Sequence, residues 1–186
     1  MKRSRKLGIG LGVLLGLLLM LAFSTPKPET HSNRRIISAP KDMCWALIAD
    51  VANYHQYATG LDHVSVLSGE GIGMVRACSD EQGSWQETCT AWTEGESYTF
   101  NVDVDSGFPY PFKLMEGTWQ VEEFEVGFTE VTVTFHYQFP YRWMKWLFSK
   151  ETHRAFEAGN KTLIDNWENQ LMSGPLPITA PDNLNH

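Results

Sequence analysis

One segment of the chain decides the fold: residues 34–57, with the sequence RRIISAPKDMCWALIADVANYHQY. It begins as a short strand, Arg35–Ser38, and then meets Pro40, whose missing N–H suits the first turn of a helix. Apolar side chains follow at helical spacing, namely Met43, Trp45, Leu47, Ile48 and Val51. The remainder, Asp50–Tyr57, predicts a second short helix that is rich in aromatic residues. The segment therefore predicts a strand followed by two small helices.

Beyond this segment the chain has the pattern of successive strands until one long helix near its C-terminus. The strand patterns cover Val64–Leu67, Met74–Cys78, Trp85–Trp92, Tyr98–Val104, Lys113–Glu122 and Phe128–Phe139. In the last of them apolar and polar residues alternate, so one face of the sheet is buried and the other is wet. The long helix is predicted over Arg142–Met172. This order predicts an α+β fold in which a curved antiparallel sheet of about six to seven strands wraps round the helix and leaves a cavity between them.

The order of elements and four short motifs resemble the START-like, polyketide-cyclase-like superfamily, also called SRPBCC, which has the helix-grip fold. The resemblance extends from Arg34 to about Met172. Its motifs are Ser38-Ala39-Pro40 with Trp45 and Asp50, Gly69–Arg76 before a strand, Gln86-Glu87-Thr88 within the next strand, and Asn160–Leu163 with Trp167-Glu168 in the last helix. The resemblance implies the architecture first, because members of this superfamily share a fold more than a function.

Residues 1–24 have the composition of a targeting or anchoring segment. A basic head, Lys2–Lys6, precedes Leu7–Phe23, which is unbroken apolar residues and glycine. That run is short for a membrane span, which needs about 20 residues, and it also suits a signal peptide with small residues at Ala22 and Ser24. A cleaved signal and a retained anchor both remain open. Either one predicts membrane association of the N-terminal segment or secretion, with the following domain on the extracytoplasmic (periplasmic) side, because the basic residues are denser before the run than after it.

The rest of the chain is predicted to be one acidic domain with short polar ends. Residues 25–33 are polar and contain proline, so they are predicted to form a linker, whereas 34–173 form the domain and 174–186 a flexible tail. All the Asp and Glu residues lie beyond residue 24, while four of the 15 Lys and Arg residues lie before it. This charge argues against nucleic acid as a partner, since phosphate binding needs a basic surface. The oligomeric state is left open.

The three cysteines are compatible with one disulfide bond or with three unpaired buried thiols. Cys44 is expected to be a small buried residue of the first helix. Cys78 and Cys89 lie on strands joined by residues 80–84, and they would face each other if the turn centres on Gly83-Ser84. An oxidising compartment would permit a bond, and unpaired thiols packed in the sheet are the alternative. The cysteines do not have the spacing of zinc ligands, so neither a metal nor another cofactor is expected.

The long helix and one aromatic loop supply the predicted binding site. The helix interior contains Gly159, which costs about 1 kcal/mol relative to alanine and so indicates either space for a bound molecule or close approach of a strand. We expect an apolar cavity that opens between the loop Phe108–Phe112 and the helix. The predicted ligand-binding residues are Phe148, Thr152, Phe156, Gly159, Leu163, Phe108, Phe112, His55 and Tyr98.

Three functions fit such a chain. The favoured one is a non-catalytic binding or transfer protein for a small hydrophobic ligand that is lipid-like or polyketide-like. The second is a cyclase- or dehydratase-type enzyme of the same superfamily, with Tyr98, His55, Glu87 and Asp103 as first candidates and with an Arg76–Glu87 pair of interest only if it lines a pocket. The third is an accessory protein whose surface binds a protein partner. Trp143 and Trp146, with Arg142, Lys145 and Lys150, have the mixture found at membrane interfaces, although ordinary core and rim packing is the favoured explanation.

Overall fold

The computed structural model describes residues 12 and 14–174. Seven strands form one antiparallel sheet in the order β1-β7-β6-β5-β4-β3-β2. The strands are β1 (Glu29–Ile37), β2 (His63–Ser68), β3 (Val75–Asp80), β4 (Gly83–Thr93), β5 (Ser97–Val102), β6 (Leu114–Glu125) and β7 (Phe128–Gln138). The helices are α1 (Lys41–Ile48), a single 3₁₀ turn (Tyr54–Gln56) and α2 (Arg142–Ser173). The α+β helix-grip architecture predicted from the order of periodicities is therefore confirmed.

The long helix lies across the curved sheet and covers the core. It packs against β1 and β7, and α1 packs against β6, β7 and α2. The alternation predicted for β7 holds, because Val131, Val133 and Tyr137 are fully buried whereas Thr132 and Thr134 are not. Apolar side chains of the sheet meet Leu163, Ile164 and Trp167 of the helix, whose burial stabilises the fold by about 1.5–3 kcal/mol for each large side chain.

The first strand begins earlier than the sequence pattern predicts. Residues 29–33, which we expected to belong to a linker, pair with β7 from Glu29↔Tyr137 onward. The inward side of β1 is polar, so no apolar alternation marks it. Those polar side chains meet α2: Ser149 donates to Glu29 at 3.0 Å, Asn160 donates to Asn33 at 3.2 Å, and Arg35 pairs with Asp165.

The turn between β3 and β4 lies two residues earlier in the sequence than a turn that would place Cys78 opposite Cys89. Asp80 pairs with Gly83 across the turn, and its Oδ1 accepts hydrogen bonds from the backbone N–H groups of Gln82 and Gly83 at 2.8 and 3.1 Å. Side-chain closure of this kind centres the turn on Glu81-Gln82. Cys78 therefore lies opposite Trp85 and not opposite Cys89, and all three cysteines of the described chain are free and buried.

The two ends of the chain are described only in part. The basic head and the first apolar residues of the predicted segment 1–24, and all of the predicted tail 174–186 except Gly174, lie outside the described residues. Residues 14–22 are helical, and the leucines among them are exposed. Within 12 and 14–174, no helix has both the length and the apolar composition to cross a membrane.

Candidate functional site

A cavity of about 410 Å³ lies between the sheet and α2. Its size falls in the range of small-molecule sites, roughly 300–1,000 Å³. Its walls come from the 3₁₀ turn and the loop after it, from β3 to β7, from the loop between β5 and β6, and from the middle of α2. The lining residues are Tyr54, Ala58, Thr59, Gly60, Leu61, Arg76, Asp80, Trp85, Glu87, Val102, Phe108, Tyr110, Phe112, Met115, Trp119, Phe135, Thr152, Ala155, Phe156, Gly159, Asn160 and Leu163.

The cavity has a buried floor and an exposed rim. Trp85, Val102, Met115 and Trp119 are buried, and they give the floor an apolar, largely aromatic surface. The rim is where lining residues reach solvent, and these are Thr59, Gly60, Tyr110 and Ala155. The opening thus lies between the loop after the 3₁₀ turn, the β5–β6 loop and α2.

A pair of opposite charges interrupts the apolar floor. Arg76 of β3 and Glu87 of β4 are cross-strand partners in the sheet register. The Nε and Nη2 atoms of Arg76 both donate to Oε2 of Glu87, at 2.8 and 2.6 Å. The indole Nε1 of Trp85 donates to the other carboxylate oxygen at 2.8 Å. Three charge-assisted hydrogen bonds fix this carboxylate and leave it poorly placed to act as a general base.

The Arg76 guanidinium is held inside a cage of aromatic rings. Its Cζ lies 3.9 Å from the ring centroid of Phe100, 5.1 Å from that of Tyr54 and 5.5 Å from that of Trp119. Burial by itself lowers the pKa of Arg76, but the combined electrostatic effect of Glu87 and the other groups around the guanidinium outweighs it and raises the pKa, so the group remains charged. Its Nη1 is buried and has no hydrogen-bond partner among the described residues. A donor of this kind is suited to the oxygen of a bound molecule.

Two further buried polar side chains, Tyr54 and Asn160, reach the cavity. Burial raises the pKa of Tyr54 well above the ordinary tyrosine value, so its hydroxyl remains protonated and can donate. Asn160 of α2 is 3% exposed and donates to Asn33 of β1, which also accepts from His31 at 2.6 Å. The cavity therefore combines an apolar surface with a few fixed polar groups, as in sites that bind and orient a small organic molecule.

Gly159 faces open space on the helix side of the cavity. A Cβ atom added to this residue would meet no described atom within 4 Å. Close approach of a strand, the alternative explanation for a glycine in this helix, is thereby ruled out.

The family of the chain follows from its sequence profile. The family described as "Polyketide cyclase / dehydrase and lipid transport" matches residues 29–169. The chain belongs to this family. The resemblance to the START-like superfamily is thus confirmed, and the family supports hydrophobic-ligand binding or cyclase activity in general terms.

Solved structures share the fold of this family member at low identity. A protein of Thermus thermophilus has 19% identity and a TM-score of 0.64, with 78% of this chain and 98% of that chain covered. The Zhui aromatase/cyclase of a Streptomyces species has 13% identity and a TM-score of 0.65, with coverage of 78% and 94%. The norcoclaurine synthase of Thalictrum flavum, in complex with dopamine and hydroxybenzaldehyde, has 10% identity and a TM-score of 0.64, with coverage of 84% and 93%. No curated protein matches the sequence.

Six of the nine predicted ligand-binding residues line the cavity of this family member. They come from two places in the chain, the middle of α2 and the β5–β6 loop, and they are Thr152, Phe156, Gly159, Leu163, Phe108 and Phe112. Phe156 packs on Phe135 with ring centroids 4.9 Å apart and on Phe112 at 6.4 Å. These contacts join the helix to β7 and to the β5–β6 loop.

Phe148, His55 and Tyr98 lie elsewhere, which corrects the prediction. Residues four apart in a helix are offset by about 40° around its axis, so a row of residues at this spacing gradually winds round the helix. Phe148, the first residue of the predicted row, therefore turns away from the sheet and is exposed at the start of α2. His55 follows Tyr54 on one tight turn, so the tyrosine points inward while the imidazole packs 5.5 Å from that of His63. Tyr98 is core: its ring stacks on Trp119, and its hydroxyl donates to the carbonyl of Ile48 at 2.8 Å.

Sequence reasoning missed several of the groups that shape the site. Tyr54 is one of several aromatic residues in its segment, and Asn160 was noted only as part of a family motif, so neither was assigned to the binding site. Of the four enzyme candidates only Glu87 lines the cavity; Asp103 lies in a groove elsewhere with Thr88, Thr90 and Asn101. Within the described part of the chain, no three His, Cys, Asp or Glu side chains are arranged to hold a metal ion.

Proposed function

We propose that this domain binds a small hydrophobic molecule with one polar end and releases it unchanged. The observation that carries the proposal is the cavity of about 410 Å³, whose apolar floor is interrupted by one buried charge pair. Apolar walls provide affinity by removing ligand surface from water, at about 25 cal/mol per Å². A polar end that accepts from Arg76 Nη1 or Tyr54 would fix the orientation of the ligand.

The proposal also includes the subcellular location of the domain. The basic head before the apolar run supports an N-terminal membrane anchor with the domain on the extracytoplasmic side. Phosphatase and β-galactosidase fusions at the C-terminus test this orientation, and β-galactosidase activity would contradict it. An immunoblot shift of about 2–3 kDa would indicate a cleaved signal instead of an anchor.

A second function, a cyclase- or dehydratase-type enzyme, is favoured by one observation. Glu87 is a carboxylate that lines an apolar cavity, as an acid or base would have to. Its three hydrogen-bond donors argue for a fixed anion rather than a group that exchanges protons. Recovery of a bound compound that the protein converts into another would decide for the enzyme.

The binding proposal is tested with a pair of variants at Gly159. Leucine at this position would extend into the open space of the cavity, whereas alanine would fill almost none of it. Both substitutions remove a glycine from a helix interior, which stabilises the helix by up to about 1 kcal/mol. We expect Gly159→Leu to weaken the binding of cis-parinaric acid at least about tenfold, or 1.4 kcal/mol, and Gly159→Ala to leave it close to wild type.

The result that would contradict the proposal follows from the same titration. If Gly159→Leu binds the probe as wild type does, while thermal unfolding shows both variants to be folded, the cavity is not the binding site.

A further inference from the structure

The start of α2 carries an exposed aromatic surface that the cavity does not explain. It consists of Tyr141, Trp146, Leu147 and Phe148, all exposed, with Trp146 exposed to 82%. The described part of the chain leaves this surface uncovered, and none of its residues lines the cavity. An exposed cluster of large apolar side chains marks an interaction site.

This aromatic surface is continuous with the apolar helical segment 14–22. The backbone N–H of Arg142 donates to the carbonyl of Ser24 at 2.9 Å, and its Nε donates to the Ser24 hydroxyl at 3.2 Å. The ring of Phe23 packs against that of Tyr141 with centroids 5.6 Å apart. Just after this junction, Gln138 donates to the carbonyl of Pro26 at 2.7 Å. The end of the segment is therefore fixed beside the first turn of α2.

The side chains of the helical segment 14–22 and of the aromatic surface indicate what kind of partner covers both. Exposed apolar side chains, six leucines together with Met20, lie all round the helical segment, whereas a helix that binds one protein partner is apolar on one side only. The aromatic surface adds a tryptophan flanked by the exposed cations Arg142 and Lys150, with Lys145 partly exposed beside Glu29. Tryptophan and long basic side chains are enriched at the boundary between lipid tails and headgroups. A phospholipid bilayer would surround the apolar helical segment with lipid tails and would place the tryptophan and its neighbouring cations at the headgroup boundary.

We infer that the aromatic surface docks on the same bilayer that receives the N-terminal segment, so that the domain rests on the membrane instead of swinging from a tether. The inference rests on the membrane placement given under Proposed function. It has a consequence for the cavity. Ala155, the rim residue of α2, follows Trp146 by about 14 Å of helix, so the rim lies close to the lipid headgroups and a ligand has a short path between bilayer and cavity.

Site-specific probes on the full chain test the inference. Trp146→Cys, Leu18→Cys and Val126→Cys are each labelled with an environment-sensitive NBD maleimide; the three native cysteines are buried and will not compete. Residue 126 is 91% exposed and lies at the opposite end of β7 from the start of α2. The labelled proteins are reconstituted into phosphatidylcholine–phosphatidylglycerol vesicles with and without brominated acyl chains.

The three positions separate the possible outcomes. We expect blue-shifted emission and loss of intensity in brominated lipid at positions 146 and 18, and neither effect at position 126. Quenching at 18 but not at 146 would overturn the docking inference while leaving the anchor intact. Quenching at none of the three would overturn both the docking and the membrane placement, but not ligand binding in the cavity.

Discussion

Arg76 and Glu87 bring opposite charges into a cavity whose other walls are mostly apolar. Taking two ions out of water costs several kcal/mol each, and their mutual attraction offsets this cost only when the geometry is good. Here two hydrogen bonds join the pair, a third comes from Trp85, and aromatic rings surround the guanidinium. A pair of this kind is weak evidence for stability alone, so its position on a cavity wall is better explained by recognition of a polar group.

Removing one member of the pair leaves the other buried without compensation. We expect Glu87→Gln to lower the free energy of unfolding by about 3–5 kcal/mol, because Arg76 would lose its counter-charge. Glu122→Gln is the matched control, since Glu122 is an exposed residue of β6 on the opposite face of the sheet, and it should change stability by less than about 0.5 kcal/mol. Urea unfolding of both variants measures the difference; equal values would show that the pair is solvated in solution.

The reactivity of the three cysteines tests the register of the β3–β4 hairpin. Burial raises the pKa of the Cys78 thiol to about 12, and Cys44 and Cys89 are as deeply buried. Because the register separates Cys78 from Cys89, we expect three thiols to react with a maleimide after unfolding without reductant, and almost none before it. A single reactive thiol in the unfolded, unreduced protein would mean that the other two are bonded after all.

Among the elements, those with a clear apolar period were predictable and those held by polar contacts were not. The alternation in β7 and the spacing in α2 located both within a residue or two, because burial imposes those periods. The first half of β1 is invisible to the same reasoning, since its inner side meets α2 through Glu29, His31 and Asn33. The β3–β4 turn was misplaced for a related reason: the Asp80 side chain, not the glycine, determines where it closes.

The β5–β6 loop and the end of β3 are connected across the rim of the cavity. The hydroxyl of Tyr110 donates to the carboxylate of Asp80, and burial together with this hydrogen bond raises the pKa of Tyr110 to about 12. The donor therefore stays protonated throughout the physiological range. The contact ties an aromatic loop, Phe108–Phe112, to the rigid hairpin beside it.

Loss of this contact should change the rates of ligand exchange more than the affinity. We expect Tyr110→Phe to speed both the association and the dissociation of cis-parinaric acid, because the loop would open more often while the cavity floor is unaltered. Stopped-flow fluorescence measures both rates, and Tyr141→Phe, which changes an exposed tyrosine away from the cavity, is the control. Unchanged rates in Tyr110→Phe would show that the loop does not limit exchange.

Across the whole molecule, the long helix has two different surroundings along its length. Its first turns carry the exposed aromatic surface, and its middle forms one wall of the cavity. The helix-grip fold of this family makes such an arrangement natural, because the sheet curves round only part of a 32-residue helix. Family and fold could be recognised from the sequence, but the cavity wall could not be fully drawn, since it depends on which of two neighbouring residues, such as Tyr54 and His55, points inward.

Native mass spectrometry of the purified full chain tests the central claim, that the cavity holds a small hydrophobic molecule, most directly. We predict a noncovalent adduct on wild type and on Gly159→Ala, either carried through purification or acquired from added cis-parinaric acid, and its loss in Gly159→Leu. Extraction into organic solvent should return the adduct unchanged and identify it. A wild-type protein that shows only its own mass, both as purified and after incubation with excess cis-parinaric acid, would contradict the account.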